Sequence, residues 1–597
     1  MALHRPSAYV LASSICLSGA IALMALAGCG ALIGIGDAEV LVADDGGSSS
    51  GSAVPDTPSF DDPGLPTLSR ANKVDILLAV DDSPGMASKA TVFSRSIGAL
   101  LTNIARTTSD IHLGVVTSSL GSSGGDVCFE PSMNTKAHLL GEGVLELGSS
   151  GDLPAFIASA ERLVRSAGQS GCAFEAQLEA MYRFLVQPDP YVAVKLDAFR
   201  QADLDGLDVE VLRQRKAFLR PDSLLLVIMV TDEDDSAPDP MAVGGFGYAF
   251  ASREFPGSRI ERGTAKDGTT APRATTACAN DPDSEDCTSC GFAANCDTEL
   301  ASCQKLRRDA NCTRSPVPDE SGAGADGFYG PSDDDLGVRF HRMRERFGVD
   351  PQYPLARYVD GFSAASVPDR HTEHDVVQTP GGQRKIASYT YRKTCTNPVF
   401  ASQLPATADG ERCKLPRGPR TPDLVVFGVL GGAVPSLVAT SDVDWRKVLG
   451  ANPEHHDFSG IDPHMVPSIE PRSALLAGGD PNAPKGNNGS DPVTGREWNT
   501  AKKGLQLACT FALETPVSCP PNEPTCPCGG TDNPPLCATD GSAVQVKDGA
   551  YPSPRPLLVA KRLGARGLVG SVCPVPGQTS YAPFLDRVAQ VALSRLE

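Results

Sequence analysis

Short runs of consecutive apolar residues along this chain predict strands, and stretches with helical spacing separate them. Val74–Val80 and Leu224–Val230 are almost wholly apolar, and each run stops abruptly at acidic residues. Runs that are apolar on both faces are typical of central strands in a parallel sheet. Ile111–Thr117 predicts a further strand. Apolar residues at spacings of three and four predict three helices, at Val92, Phe93, Ile97, Leu100, Leu101 and Ile104, at 156–164, and at Phe174, Leu178, Met181, Tyr182 and Leu185.

The same alternation returns in the last third of the chain. Residues 424–430 predict another buried strand, 556–563 a short helix and 567–572 a final strand. An amphipathic helix closes the chain, with Leu585, Val588, Ala592 and Leu596 on its apolar face. Strands that alternate with helices predict an α/β fold built on a doubly wound, mostly parallel sheet of the Rossmann type.

Two long segments without periodicity interrupt this pattern. Residues 236–422 hold six cysteines between Cys278 and Cys312, and residues 437–551 hold five between Cys509 and Cys537. We interpret both as large, irregular, disulfide-rich insertions into one domain. The domain itself then comprises 71–235, a core strand within 423–436, and the strand and helix of 552–597.

The charge balance argues against one class of partner. The 597 residues include 53 Lys and Arg against 72 Asp and Glu, a formal net charge of −19. A nucleic-acid-binding protein needs a basic face for phosphate contacts, so we expect no nucleic-acid partner.

The N-terminus has the features of an export signal. His4 and Arg5 precede an apolar run that ends in Leu26-Ala27-Gly28-Cys29, which predicts a lipoprotein signal peptide over 1–28. The resemblance to the bacterial lipobox implies that Cys29 is lipidated and anchors the chain to a membrane. Because Gly30 is not Asp, an outer-membrane or cell-surface location is favoured. The alternative is a transmembrane anchor, since the run of about 19 residues is long enough to span a bilayer.

Export bears on the remaining cysteines. Residues 29–70 are rich in Gly, Ser, Pro and Asp and predict a flexible tether after the lipid. Removal of Cys16 and lipidation of Cys29 leave sixteen of the eighteen cysteines in an oxidising space, enough for eight disulfides. Those between Cys278 and Cys312 are expected to pair mainly among themselves. A zinc knuckle at Cys287-x2-Cys290 is the alternative.

Two predicted strands end in acidic clusters, Asp81-Asp82-Ser83 and Asp232-Glu233-Asp234-Asp235. Ligands of open parallel sheets bind outside the carboxyl ends of the strands, so adjacent strands would bring both clusters to one crevice. Carboxylate and hydroxyl oxygens suit Mg²⁺ or Ca²⁺. As alternatives, Asp81 and Ser83 could simply cap a helix, and residues 232–235 could form a solvated acidic turn.

In these motifs the chain resembles von Willebrand factor A domains. More narrowly it is similar to lipoproteins of Gram-negative bacteria that combine this domain with cysteine-rich insertions. The motifs that carry the resemblance are Val74–Val80 with 81–86, Ile111–Thr117, Gly171-Cys172-Ala173-Phe174-Glu175, 230–235, Leu507-Ala508-Cys509-Thr510-Phe511, and Gly570-Ser571-Val572-Cys573-Pro574.

The resemblance implies a metal-ion-dependent adhesion site with the pattern Asp-x-Ser-x-Ser, a Thr before a later helix and an Asp after the fourth strand. Asp81, Ser83 and Asp232 match this pattern. Gly85 replaces the second Ser, and Glu175 is nearest the position of the Thr. We therefore expect a degenerate site that binds Mg²⁺ or Ca²⁺ weakly.

Three other motifs are weaker indications of metal binding or catalysis. His371-x2-His374-Asp375 and His455-His456-Asp457 could bind metal, but histidines in polar loops are usually solvated. Gly121-Ser122-Ser123-Gly124-Gly125 fits the pattern of a nucleophile elbow without the strand-to-helix turn that such an elbow needs.

Three functions follow as hypotheses. The first is a non-enzymatic binding domain that engages a protein or matrix ligand at the top of its sheet. The second is a metal-dependent hydrolase that uses the same acidic crevice, although no His or Lys base can be placed near Asp81 or Asp232 from the sequence. The third is a structural envelope protein with a vestigial site.

Overall fold

The computed structural model describes most of the chain after residue 67. The described residues are 68–253, 271–279, 284, 286–291, 298–313, 327–329, 334–347, 350–478, 480–482, 491–521, 526–530, 534–575 and 579–597. The predicted signal peptide, Cys29 and most of the tether lie outside these residues. Within them, no helix has the length and apolar composition needed to cross a membrane.

The strands are short. They are β1 Val74–Val80, β2 Ile111–Thr117, β3 Leu145–Leu147, β4 Ala193–Leu196, β5 Ala202–Asp205, β6 Leu224–Val230, β7 Ser366–Val367, β8 His374–Gln378, β9 Arg384–Tyr389, β10 Cys395–Thr396, β11 Val425–Gly431, β12 Cys509–Ser518, β13 Val544–Ala550 and β14 Gly567–Ser571. The helices are α1 Ala87–Ala105, α2 Leu153–Arg165, α3 Gln177–Leu185, α4 Val209–Phe218, α5 Ala242–Gly245, α6 Ala301–Arg308, α7 Arg339–Phe347, α8 Leu355–Gly361, α9 Trp445–Leu449, α10 Pro554–Arg562 and α11 Ala582–Leu593.

A six-stranded central sheet organises the fold, in the order β14-β11-β6-β1-β2-β3. All its neighbouring strands are parallel except the edge strand β3, which is antiparallel to β2. The prediction of a mostly parallel α/β sheet is therefore confirmed. Counted along the chain, the strand order is third, second, first, fourth, fifth, sixth, as in doubly wound folds that bind ligands where the order reverses.

The sheet is covered on both faces, which explains why β6 is apolar along its whole length and β1 at every position except Asp75. Alternate residues of β1 enter different cores: Ile76 and Leu78 pack on the side of α1, α2 and α11, whereas Leu77 and Ala79 pack on the side of α3, α8 and α10. A strand buried on both faces is apolar at nearly every position, and the buried Asp75 is paired with Arg220 at 2.7 Å.

The order of the strands reverses between β1 and β6. These two strands pair in parallel with Val80 opposite Val230, and the backbone N–H of Asp81 donates to the Val230 carbonyl at 2.9 Å. Their carboxyl ends are therefore level, and the residues that follow them lie side by side.

Two segments without sequence periodicity contain more structure than expected. Residues between β6 and β11 form short helices and small hairpins. Between β11 and β14, the strands β12 and β13 form an antiparallel pair that the sequence did not predict. Pro516 lies within β12, where the pairing is irregular between Ala512 and Val517, so the usual alternating strand pattern is broken.

Seven disulfides are present among the described residues, which confirms disulfide bonding for the fourteen cysteines that they join. They join Cys128 to Cys172, Cys278 to Cys287, Cys290 to Cys312, Cys395 to Cys413, Cys509 to Cys573, Cys519 to Cys526, and Cys528 to Cys537. Cys287 and Cys290 bond to other cysteines, so the zinc-knuckle alternative is wrong.

Candidate functional site

Asp81 follows β1 and is held by hydrogen bonds from three directions. Its Oδ1 accepts from the backbone N–H of Ser83 at 2.8 Å and from the Ser118 hydroxyl at 3.2 Å. Its Oδ2 accepts from the Thr231 hydroxyl at 2.7 Å. Burial raises the pKa of Asp81, and the bonds from Ser83 and Thr231 oppose that shift. The carboxylate thus links the ends of β2, β1 and β6.

The helix-capping alternative for Asp81 and Ser83 is wrong. Helix α1 begins at Ala87, and its N-cap residue Met86 makes no side-chain capping bond. Asp81 instead closes a local turn with Ser83. The hydroxyl of Ser83 is buried.

Asp232 follows β6 and forms a buried ion pair with Lys89 of α1. The Lys89 Nζ lies 2.8 Å from Asp232 Oδ2 and 2.8 Å from Asp548 Oδ1 of β13. The side chain of Lys89 is 0% exposed and that of Asp232 is 8% exposed. Burial would lower the pKa of Lys89, but the two carboxylates raise it above its ordinary value. We call the group formed by Asp81, Ser83, Lys89, Asp232 and Asp548 the acidic crevice.

Gly85 is part of the same arrangement. Its carbonyl accepts a hydrogen bond from the Lys89 ammonium at 3.0 Å. Its φ is +106°, a conformation that side chains rarely adopt. A Cβ at this position would lie 3.4 Å from Asp232 Oδ2. The backbone that presents its carbonyl to Lys89 therefore disfavours the serine of the family pattern.

Glu175 lies in the loop before α3 and is 2% exposed. This loop is fixed by its backbone: Ala176 N–H donates to the Ser118 carbonyl at 2.8 Å, and Ser236 N–H donates to the Glu175 carbonyl at 2.7 Å. The Glu175 carboxyl lies beside that of Glu233, with which it forms a hydrogen bond.

The two glutamates have strongly perturbed acidities. Burial, followed by the negative charges of Glu233 and Asp81, raises the pKa of Glu175 well above its ordinary value. Burial, with the charges of Asp232 and Asp81, raises the pKa of Glu233 to about 8. Glu233 therefore holds a proton at neutral pH when no cation lies beside it. The solvated-turn alternative for residues 232–235 is wrong, since Asp232 and Asp235 are 6% and 1% exposed.

The acidic crevice does not fit a divalent ion in this arrangement. Mg²⁺ and Ca²⁺ require six or more oxygen ligands. Both oxygens of Asp81 accept hydrogen bonds, and one oxygen of Asp232 binds Lys89. Asp232 Oδ1 remains as a buried oxygen without a hydrogen-bond partner among the described residues. The metal assignment of Asp81, Ser83, Asp232 and Glu175 stays a prediction that requires Lys89 to move.

One other acidic group comes close to metal-site geometry. Asp369, Cys395 and Cys413 are the only His, Cys, Asp or Glu side chains in the described ranges whose ligand atoms lie, as a set of three, within 4.8 Å of one another. Cys395 and Cys413 form a disulfide. Since metals bind the thiolate form of cysteine, this group offers a single carboxylate.

A cavity of about 170 Å³ lies beside the crevice, and we call it the Glu175 cavity. Its lining includes Glu175, Glu233, Asp234, Asp235, Ser236, Phe174, Phe340, His341, Arg344, His456, Phe458, Lys503 and Tyr551. Arg344 Nη2 lies 3.7 Å from Asp234, and its Nη1 lies 4.0 Å from Asp350. The cavity combines aromatic walls with an excess of carboxyl groups, a composition suited to a polar ligand.

Two histidines face this cavity. The rings of His341 and His456 have their centroids 5.1 Å apart. Burial and the charge of Arg344 lower the pKa of His456 to about 4, and the same causes hold that of His341 well below its usual range. Both imidazoles are therefore neutral. The expectation of a solvated histidine fails for His374 as well, which is 2% exposed and lies 2.8 Å from Asp239.

Sequence reasoning missed Lys89, Thr231 and Asp548. The sequence could have indicated Lys89, because it lies four residues before Phe93 on the apolar face of α1. A lysine on a buried face requires a buried counterion. No sequence pattern could have indicated Asp548, because it lies in an unpredicted strand 459 residues away from Lys89.

No protein-family profile and no curated protein matches the chain. Among solved structures, it is similar to a von Willebrand factor type A protein from Catenulispora acidiphila, with 12% sequence identity and a TM-score of 0.16. The match covers 29% of this chain and 32% of that protein, so the chain spans about a third of its length.

Proposed function

We propose that this chain is a non-enzymatic binding domain whose Glu175 cavity receives a positively charged group from a protein or matrix ligand. The observation that carries the proposal is the Glu175–Glu233 pair, with which no described lysine or arginine forms an ion pair, although the charge of Lys89 lowers the pKa of Glu233. Lys89 pairs with Asp232 and Asp548, and Arg344 lies closest to Asp234 and Asp350. A ligand ammonium or guanidinium beside the pair would favour loss of the Glu233 proton and would balance the resulting negative charge.

The location of the cavity supports this proposal. It lies beside the carboxyl ends of β1 and β6, where the strand order reverses and where open α/β sheets bind ligands. Phe174, Phe340 and Phe458 line it and would pack against the aliphatic stem of a lysine or arginine side chain. Recognition of this kind requires no chemical turnover.

The cellular setting is part of the proposal. The sequence of residues 4–29 supports export and lipidation at Cys29, and the seven disulfides among the described residues suit an oxidising compartment. We propose an outer-membrane or surface lipoprotein that displays its binding domain on a tether.

Short peptides test the binding proposal. Fluorescence polarisation with the mature chain should detect labelled Gly-Lys-Gly and Gly-Arg-Gly peptides, and should not detect Gly-Glu-Gly. Glu233→Gln should weaken binding at least tenfold. Glu146→Gln is the matched control, because the Glu146 side chain is 69% exposed on the edge strand β3. Equal binding of acidic and basic peptides, or full binding by Glu233→Gln, would reject a cation-binding cavity.

A hydrolase is the second candidate, because neutral His341 and His456 face the same cavity and could act as bases. A panel of peptide, ester and phosphoester substrates tests it. Turnover that His456→Ala abolishes would favour the enzyme over the binding domain.

A further inference from the structure

The resemblance of the sequence to metal-dependent adhesion domains places a divalent ion where this chain has a lysine. We infer that the Lys89 ammonium is the built-in cation of the acidic crevice, so that Asp232 and Asp548 have a counterion without a metal ion. This inference concerns the state of the crevice and does not depend on the ligand proposed for the Glu175 cavity.

The contacts of Lys89 are those expected of a substitute cation. Its Nζ binds three oxygens, from Asp232, Asp548 and the carbonyl of Gly85, at 2.8 to 3.0 Å. An ammonium group has three donors, and each therefore has an acceptor. Two of the acceptors belong to the positions that the family pattern assigns to the metal: Asp232 is its last aspartate, and Gly85 is its missing serine.

The surrounding backbone agrees with this role. Gly85 has a φ of +106°, and its carbonyl accepts from Lys89 four residues later. Asp548 of β13 is the second carboxylate that contacts the Lys89 ammonium. Its other oxygen accepts a hydrogen bond from the Ser88 hydroxyl. The lysine thus has a dedicated counterion from outside the central sheet, a feature that a metal-binding crevice would not need.

A chain without the Lys89 ammonium should respond to divalent ions differently from the natural chain. In Lys89→Ala, two or three carboxylates would face a space without a cation. Acidic oxygens in such a space attract Ca²⁺ or Mg²⁺, so the variant should acquire the metal dependence that the natural chain lacks.

Thermal melting of the full mature chain tests this, with 1 mM EDTA and then with 10 mM CaCl₂ or MgCl₂. We expect the natural chain to melt at the same temperature in all three conditions. Lys89→Ala should melt at a lower temperature in EDTA and regain at least about 2 °C with a divalent ion. The gain should disappear when Asp81→Asn is added. Lys73→Ala is the control, because Lys73 pairs with Asp222 at the opposite end of β1.

Two results would overturn the inference. One is a shift of the natural chain with either ion, and the other is a folded Lys89→Ala chain that responds no more than Lys73→Ala. If Lys89→Ala does not fold, Lys89→Gln replaces it, because the amide keeps a donor for Asp232 while removing the charge. If neither variant folds, the natural chain decides: an unchanged melting temperature supports the inference, and a shift rejects it. Peptide binding is measured separately, so the failure of one proposal does not decide the other.

Discussion

Lys89 and Asp232, which come from the first helix and from the end of the fourth central strand, are 2.8 Å apart and almost completely shielded from solvent. A buried ion pair of this kind is not necessarily stabilising as a whole, because desolvation offsets much of the attraction. Removal of one partner, however, leaves an uncompensated charge in the interior. Removal of one charged partner should therefore lower the stability of the fold more than removal of both.

The first prediction concerns this asymmetry. Lys89→Met should lower the free energy of unfolding by about 3 to 5 kcal/mol, because it leaves Asp232 and Asp548 without their cation. Lys89→Met combined with Asp232→Leu and Asp548→Leu should lose less than Lys89→Met alone. Urea denaturation measures each difference. A triple variant whose loss relative to the natural chain equals the sum of the three single-substitution losses would show that the charges do not interact.

The second prediction concerns Gly85. Gly85→Ser should destabilise the chain by about 1 to 3 kcal/mol, since a serine would be forced into a strained backbone conformation. Gly148→Ser is the control, because a Cβ there meets no neighbouring atom and its φ is not positive. The prediction is contradicted if Gly85→Ser has the same melting temperature as Gly148→Ser and also binds Ca²⁺ or Mg²⁺. In that case the missing serine hydroxyl alone would explain the degenerate site.

The third prediction concerns the Cys128–Cys172 disulfide, which closes a sequence separation of 44 residues. Its replacement by two alanines should cost about 3 to 4 kcal/mol. Cys172 N–H also donates to the Ser119 hydroxyl at 2.8 Å, so the loop that carries Glu175 should loosen and peptide affinity should fall. The Cys519–Cys526 pair, separated by only seven residues, is the comparison and should cost less. Equal losses from both pairs would argue against this account.

The fourth prediction concerns pH. His374 is buried against Asp239, and although burial lowers its pKa, the Asp239 carboxylate raises it to about 9. Because this pKa exceeds the unfolded value of about 6.5, the pair stabilises the fold fully below about pH 6.5. That stability, of about 3 kcal/mol at most, is lost as the pH rises through 9. His374→Gln should remove this alkaline slope from a plot of unfolding free energy against pH. An unchanged slope in the variant would assign it to other groups.

The sequence predicted those parts of the fold that depend on local pattern. β1 and β6 begin and end where their apolar runs do, since every residue in them is buried. The helix expected from Phe174 starts only at Gln177, because Phe174 and Glu175 belong to a loop held by Cys172 and by Ser118, and neither restraint is local. The β12–β13 pair was missed because Pro516 disturbs its alternation.

The candidate site was only partly predictable for the same reason. Asp81, Ser83 and Asp232 were identifiable because they end strands that the apolar pattern defines. The role of Lys89 as a cation of the crevice depends on its ion pair with Asp548. Only the tertiary structure brings Asp548 close to Lys89, because the two are 459 residues apart in sequence. The His341–His456 pair likewise joins residues 115 positions apart in sequence, so no local motif could indicate it.

Anomalous diffraction from crystals grown in 10 mM MnCl₂ tests the central claim most directly, because Mn²⁺ takes the oxygen ligands of Mg²⁺ and scatters anomalously. We predict no anomalous peak in the acidic crevice, with the Lys89 Nζ within hydrogen-bonding distance of both Asp232 and Asp548. A manganese peak bound by Asp81, Ser83 and Asp232, with Lys89 turned away from them, would contradict the account.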